Sequence, residues 1–375
     1  MDDNLTADQR MLADASARFA EREYPMEAVR RRTYDTDGQF ASRYQQGAGQ
    51  LGWYSLLVPE ELGGGSVSGN GVADAAVIAY QRGRLLQPGP FVGTNVVAHA
   101  LAVAGSEEQR AKVLPALMAG ESLAAWAVTP PPGQPAVNGA VLATSAGGGY
   151  RLAGRCTLVE DPGPGGWVLV TAASEEGPSQ FLLPAETSGL TCEPVESLDI
   201  TRRYVELRLD GADVAGSALV GEAGQAAAAI EEQLAVASAL LAAESVGAMD
   251  QDFAMVLQYA KDRIAFGRPI GSFQAVKHVL ADTSLFLEMS KAIAKAAADR
   301  VGEHDGYGPQ AASMAKAFVG DCGIDLAQNC LQIFGGIGFT WEHDQHLYLR
   351  RLTTDAAVFG DPAWHREWLC QLSGV

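Results

Sequence analysis

Apolar residues recur at three- and four-residue spacing from Asp8 to about Tyr44, with Met11, Leu12, Ala15, Phe19 and Ala20 on one stripe, and this predicts helix. The run Leu51-Gly52-Trp53 through Val58-Pro59-Glu60-Glu61-Leu62-Gly63-Gly64-Gly65 ends regular structure, because a proline and three glycines follow one another closely. Helical spacing returns from about Asn70 to Met118, interrupted at Pro88-Gly89-Pro90 and Gly105-Ser106. The pattern then changes period. Short runs at Leu123–Thr129, Tyr150–Ala153, Trp167–Ala172, Ser179–Leu183 and Tyr204–Leu209 are parted by turn-rich stretches such as Pro162-Gly163-Pro164-Gly165-Gly166, which predicts an antiparallel β-domain. From Glu222 to Arg263 runs a long Ala/Leu-rich helix, followed by helices over Ser272–Val301 and Gly308–Phe334 and a shorter one from Asp361. Long helices with short links make a bundle. The expected organisation is mainly α with a central β-domain: a helical domain over 1–120, a β-domain over 121–221 and a C-terminal helical bundle over 222–375.

Composition narrows the function classes. A chain of 375 residues buries a large core. The net charge of −18 argues against nucleic acid as a partner, since phosphate backbones need a basic face. No apolar run reaches the roughly 20 residues that span a bilayer. The first residues, Met1-Asp2-Asp3-Asn4, carry no basic stretch leading into an apolar segment, so a cytoplasmic protein is expected. Cys156, Cys192, Cys322, Cys330 and Cys370 are scattered without metal or dithiol spacing and read as free thiols. His343 and His346 lie three apart beside Glu342 and Asp344, but no metal is expected there.

Two glycine-containing segments carry chemistry. In Arg263-Ile264-Ala265-Phe266-Gly267-Arg268-Pro269-Ile270-Gly271-Ser272-Phe273-Gln274, the Arg268 guanidinium is able to grip two phosphate oxygens at once. It also suits a surface arginine near a helix C-terminus. In Gln332-Ile333-Phe334-Gly335-Gly336-Ile337-Gly338-Phe339, adjacent glycines let backbone N–H groups close on an anion or a ribose, and equally end a helix.

The two segments, in this order and at this separation, resemble the C-terminal domain of the acyl-CoA dehydrogenases. Val58-Pro59-Glu60-Glu61-Leu62-Gly63-Gly64 resembles the same family early in the chain. The resemblance implies FAD held across a subunit interface. Arg268 would contact its pyrophosphate, Phe273 would be a further cofactor contact, Gln274 would reach the adenine end, and Gln332, Gly335 and Gly336 would come from the neighbouring subunit. It also implies an acyl-CoA or acyl-carrier thioester as substrate, an electron-transfer flavoprotein as acceptor, and a homo- or hetero-oligomer.

The β-domain departs from the family pattern. Where members carry a segment like T-E-P-x-A-G-S-D, this chain has Val128-Thr129-Pro130-Pro131-Pro132-Gly133-Gln134-Pro135, keeping only Val128 and Thr129 as flavin contacts. Where members have W-I-T-N, it has Leu158-Val159-Glu160-Asp161.

Dehydrogenation of a thioester also needs a base for the α-proton. The two places where the family puts its glutamate fall here on Phe359 and Ala237, neither of which takes a proton. Glu244, two helical turns beyond Ala237, is the remaining candidate base, with a structural ion pair as its alternative role. Asp361 either reaches the site or caps the last helix with Pro362 behind it. Two functions stay open: an FAD-dependent acyl-CoA dehydrogenase, or a non-catalytic subunit that helps a related chain hold FAD.

Overall fold

A computed structural model describes residues 5–34 and 42–374. The start of the chain at Met1–Asn4 and the part of the first helical run over 35–41 lie outside the described residues. Helices α1 (Ala7–Glu23), α2 (Met26–Tyr34), α3 (Ser42–Gln50), α4 (Gly71–Arg84), α5 (Phe91–Ala104) and α6 (Glu107–Met118) come first. Sequence-encoded caps set several of their starts. Thr6 with Gln9, and Ser106 with Gln109, form reciprocal capping boxes, and Asn70 accepts from the Ala73 amide.

The central domain follows with β1 (Ala124–Ala127), β2 (Val141–Ala146), β3 (Gly149–Glu160), β4 (Trp167–Ser174), β5 (Gly177–Pro184), β6 (Leu190–Val195), β7 (Tyr204–Ala215) and β8 (Leu219–Val220). The sheet runs β6-β7-β3-β2-β4-β5-β8, with β1 on β4. It is mixed rather than wholly antiparallel: β1 and the start of β2 both run parallel to β4. Hairpin-linked pairs, such as β2–β3 and β4–β5, stay antiparallel because a tight turn reverses the chain. β1 has no such turn; the proline-rich loop carries the chain away before β2 begins.

The C-terminal domain holds α7 (Ala227–Asp262), a small hairpin of β9 (Ile264–Ala265) and β10 (Arg268–Pro269), α8 (Gln274–Glu303), α9 (Gly308–Phe334), α10 (Gln345–Ala357) and α11 (Pro362–Leu372). The sequence pattern did not predict α10, whose N-cap residue Asp344 makes no side-chain cap, the Gln345 amide donating instead to His343 Nδ1. Helix α7 is buried without interruption from Gln233 to Met249, and α4 from Val72 to Gly83. Helices apolar on every side belong in the interior.

The two helices cross at a glycine pair. A Cβ on Gly83 would lie 1.8 Å from the Glu244 carbonyl oxygen, and one on Gly247 1.9 Å from that of Tyr80. The backbones therefore touch where no larger residue fits. One apolar core runs through both helical domains, and a second fills the β-domain.

Gly247→Ala is expected to destabilise the protein by about 2 kcal/mol or more, because overpacking forces α4 away from α7. Urea unfolding checks this; an unchanged midpoint would mean the contact yields without cost.

Candidate active site

Charged side chains from all three domains converge beside that crossing. Glu244 of α7 is fully buried. Its Oε1 accepts a hydrogen bond from Arg202 Nη2 and one of 3.4 Å from Arg351 Nη1, with Arg82 Nε 4.0 Å away. Arg351 also donates to Asp199 at 2.6 Å and to Thr201 at 2.5 Å. Arg202 donates to Asp355 at 3.2 Å. The Arg82 guanidinium lies over the rings of Phe91 and Trp53, at 4.8 and 5.3 Å.

Burial alone would raise the Glu244 pKa, but Arg202, Arg82 and Arg351 together hold it below its ordinary value. A carboxylate in that state is a poor proton acceptor. Glu244, named from sequence as a base with an ion pair as its alternative role, thus stands in an ion cluster.

Above the cluster is a small cavity of about 20 Å³, lined by Val92, Gly93, Trp126, Leu158, Glu160, Arg202, Tyr204, Leu241 and Phe359 among others. Phe359 stands on one wall, with its ring stacked on Trp126 at 5.8 Å. Its backbone is in the left-handed region at φ +59°, followed by Gly360 at +102°. This costs a non-glycine residue strain, which the surroundings offset with directed hydrogen bonds. Lys316 Nζ donates to the carbonyls of Ala356 and Gly360, both at 2.9 Å. His365 Nε2 lies 3.0 Å from the Phe359 carbonyl, and its Nδ1 3.1 Å from Ser313 Oγ. Burial lowers the His365 pKa to about 3, so the ring is neutral and donates to Phe359 from Nε2. Gly360 leaves room for this: a Cβ there would lie 3.0 Å from His365 Nε2.

The proline-rich loop docks on the same segment. Gln134 Nε2 donates to Asp361 Oδ2 at 2.7 Å, while Asp361 Oδ1 accepts from the Trp364 amide at 2.7 Å. Asp361 is therefore the cap of α11. Val128 and Thr129 are buried beside Trp126 on the way to that loop.

The second constellation lies at the end of the bundle where α7 and α9 finish, joined by Tyr259 against Phe334 at 5.0 Å. Phe266 and Gly267 both take positive φ, forming a two-residue turn between β9 and β10. Arg268 follows on the exposed strand, makes no ion pair among the described residues, and lays its guanidinium over Phe273 at 4.0 Å. Gln274 starts α8 exposed, and Gln332 is exposed on α9. Around Gly335 and Gly336 a Cβ would meet nothing within 4 Å. Phe266 is 95% exposed, Phe339 73% and Trp341 54%. His343 and His346 are engaged in ring contacts with Phe334 and Trp341, and Asp344 pairs with Arg30.

These residues fit a flavin dinucleotide. A guanidinium backed by a ring and free of acid partners offers charge-assisted bonds to a pyrophosphate, and the open glycine pair allows close backbone approach. Sequence reasoning missed Arg82, Arg202, Arg351, Lys316 and His365. An arginine inside the otherwise apolar stretch Val77-Ile78-Ala79-Tyr80-Gln81-Arg82 was a signal for the first of them.

Comparison with known proteins assigns this order of helical domain, β-sheet domain and helical bundle to the flavin-dependent oxidoreductases of the dehydrogenase type. The family model for the acyl-CoA dehydrogenase N-terminal domain matches residues 6–121, and that for the C-terminal domain matches 225–370. Acyl-CoA dehydrogenase IpdE2 of Mycobacterium tuberculosis is 28% identical over 355 residues, covering 95% of this chain and 94% of that protein. In fold, the chain is similar to butyryl-CoA dehydrogenase from Megasphaera elsdenii (TM-score 0.88, 22% identity, all of both chains). It is also similar to a chain of the ChsE4–ChsE5 complex from Mycobacterium tuberculosis (TM-score 0.87, 24% identity, 100% of this chain and 99% of that one). The chain belongs to the acyl-CoA dehydrogenase family, whose cofactor is FAD.

Glu244→Gln is expected to cost about 3 kcal/mol at neutral pH, because three buried guanidiniums lose a shared anion. The carboxylate is held below its ordinary pKa of 4.5, so its contribution is present above that value and fades as pH falls. Urea titrations at pH 7 and pH 4 check both parts; an equal loss at the two pH values would contradict the ion-cluster role.

Proposed function

We propose that this protein carries out FAD-dependent α,β-dehydrogenation of an acyl-CoA or related acyl thioester, in the cytoplasm, with an electron-transfer flavoprotein as electron acceptor. The observation that carries the cofactor's placement is the exposed Arg268–Phe273 platform at the same bundle end as the open Gly335–Gly336 turn. Arg268, Phe273 and Gln274 hold the pyrophosphate and adenine end. Gln332, Gly335 and Gly336 close over it from a neighbouring subunit, and Val128 and Thr129 stand toward the ring. Bound FAD supplies the two-electron oxidation; the chain supplies position and the handling of the α-proton. Glu244 acts as a structural anion that fixes the arginines beneath the cavity, in place of the base role first assigned to it.

Two exposed aromatic sites support an oligomer, Phe266 against Phe273 on the platform and Phe339 with Trp341 around a pocket at the end of α9, since large exposed rings mark a contact surface. One observation favours a second reading, the non-catalytic subunit of a mixed oligomer. The cavity under Phe359 is about 20 Å³, the space of a single oxygen-sized group. In that reading the chain lends its platform to a partner that carries the chemistry.

Arg268→Ala is expected to lower the flavin-to-protein ratio after purification while leaving the circular dichroism spectrum unchanged. Full flavin retention would remove Arg268 from the cofactor site. Turnover of an acyl-CoA by the chain purified alone decides between the two readings.

A further inference from the structure

Three guanidiniums, of Arg82, Arg202 and Arg351, face four buried or nearly buried carboxylates, of Glu244, Asp199, Asp355 and Glu160. Three of the acids accept hydrogen bonds from those arginines. Glu160 does not. Its Oε1 lies 3.8 Å from Arg202 Nε, and both atoms are buried without a hydrogen-bond partner. The Tyr204 hydroxyl on the same lining is also buried and unpartnered. Orphaned buried polar atoms are rare in folded proteins and ask for an explanation.

The backbone aims Glu160 at this place. Strand β3 slips register against β7 between Cys156 and Val159, and Leu158 sits in the left-handed region at φ +54°. Such a bulge re-aims the side chains that follow it. Glu160 then shares the cavity wall with Trp126, Leu158 and Phe359, while Glu244 and Asp355 stay below it, tied to arginines.

We propose that Glu160 is the proton acceptor of this site, taking the α-proton of a thioester seated between its carboxylate and the Phe359 wall. The inference rests on the dehydrogenase reading and deepens it. In the step, the Cα–H bond breaks and an O–H bond forms on Glu160. The electron pair stays on the substrate, delocalised onto the thioester carbonyl. Entry of the thioester requires the Phe359 ring to leave the face of Trp126.

The electrostatics agree with this geometry. Burial raises the Glu160 pKa to about 7, an increase that Arg202 only partly offsets and Glu244 adds to. The charged and titratable groups facing it are Arg202, Glu244, Arg82, Arg351, Tyr204 and Tyr54. A base with its pKa near the working pH is well matched to proton abstraction.

The test uses the full FAD-loaded chain with butyryl-CoA and octanoyl-CoA in D₂O. Mass spectrometry follows α-deuterium incorporation, which needs proton transfer but no net oxidation. Wild type is expected to exchange, faster as pH rises through about 7. Glu160→Gln, nearly isosteric, is expected to exchange at least about 100-fold more slowly. Independently, infrared difference spectra of the substrate-free protein should show protonated-carboxyl absorbance that falls as pH rises through about 7, and E160Q should lose the Glu160 part of it while the part from Asp355, whose burial also raises its pKa to about 7, remains. Exchange by E160Q within about 3-fold of wild type, no exchange by wild type, or an unchanged carboxyl band in E160Q overturns the assignment. Exchange that depends on Glu160 without any flavin bleaching leaves Glu160 in place and overturns the dehydrogenase reading. Turnover that survives in E160Q does the reverse.

Discussion

Glu244 and the three arginines around it are the joint on which this molecule is assembled. Arg82 comes from the N-terminal helices, Arg202 from the β-domain, and Glu244 with Arg351 from the C-terminal bundle. None of these groups reaches solvent appreciably. Burying so many charges costs more than an apolar contact of the same size would, so the cluster is weak support for stability as such. What it supplies is direction. An apolar interface tolerates small rotations, whereas a guanidinium loses its partner when either domain turns. The glycine contact between α4 and α7 sets the distance, and the charges set the orientation.

That joint fixes the chemistry above it. Arg202 is shared by Glu244, Asp355 and Glu160, and the shared charge does not satisfy all three. Glu244 and Asp199 are held below their ordinary pKa values by the arginines, while burial raises Asp355 to about 7 even though it accepts from Arg202. Glu160, at 3.8 Å, keeps an unengaged oxygen facing the cavity. What sets Glu160 apart is its place on the cavity wall, which none of the other three acids shares. On the other wall, Lys316 and His365 spend buried polar groups on main-chain carbonyls of residues 356, 359 and 360, so Phe359 is held where a chain without those bonds would relax. Burial lowers the Lys316 pKa to about 7, with Asp355 and Asp361 opposing the fall. Even a neutral amine donates to a carbonyl, so the segment keeps its anchor when the charge is lost.

How much of this was readable in the chain depends on the range of the interaction. The stripe Met11, Leu12, Ala15, Phe19 encodes its helix locally, and so do the caps Ser106 and Asp361. The turns at Phe266-Gly267 and at Gly335-Gly336 were legible because they are set within a few residues. Helix α10 was not, since its apolar face at Leu347, Tyr348 and Leu352 is interrupted by Arg351, whose partners are 107 to 264 residues away. The parallel placement of β1 on β4 was hidden for the same reason: register between distant strands is a property of packing, not of either segment. Glu244 illustrates the limit most sharply. Its small, apolar neighbours left a base and a structural ion pair both open, and only the fold brings the arginines that lower its pKa.

The two ends of the proposed cofactor site differ in a way that ties binding to assembly. Val128 and Thr129 are buried within one protomer, whereas Arg268, Gln274 and the Gly335–Gly336 turn stand open. An exposed guanidinium competes with water and salt for a phosphate and gains little from it. The same contact strengthens once a second subunit covers the platform and lowers the local dielectric. Covering Phe266, Phe339 and Trp341 removes apolar surface from water at the same time. Each event therefore makes the other more favourable, and linkage requires the coupling to be reciprocal: a cofactor that binds better to the assembled form also drives assembly. On the proposed placement of the cofactor, the exposed rings and Arg268, which makes no ion pair among the described residues, would act together, the interface and the nucleotide each completing what the other leaves open.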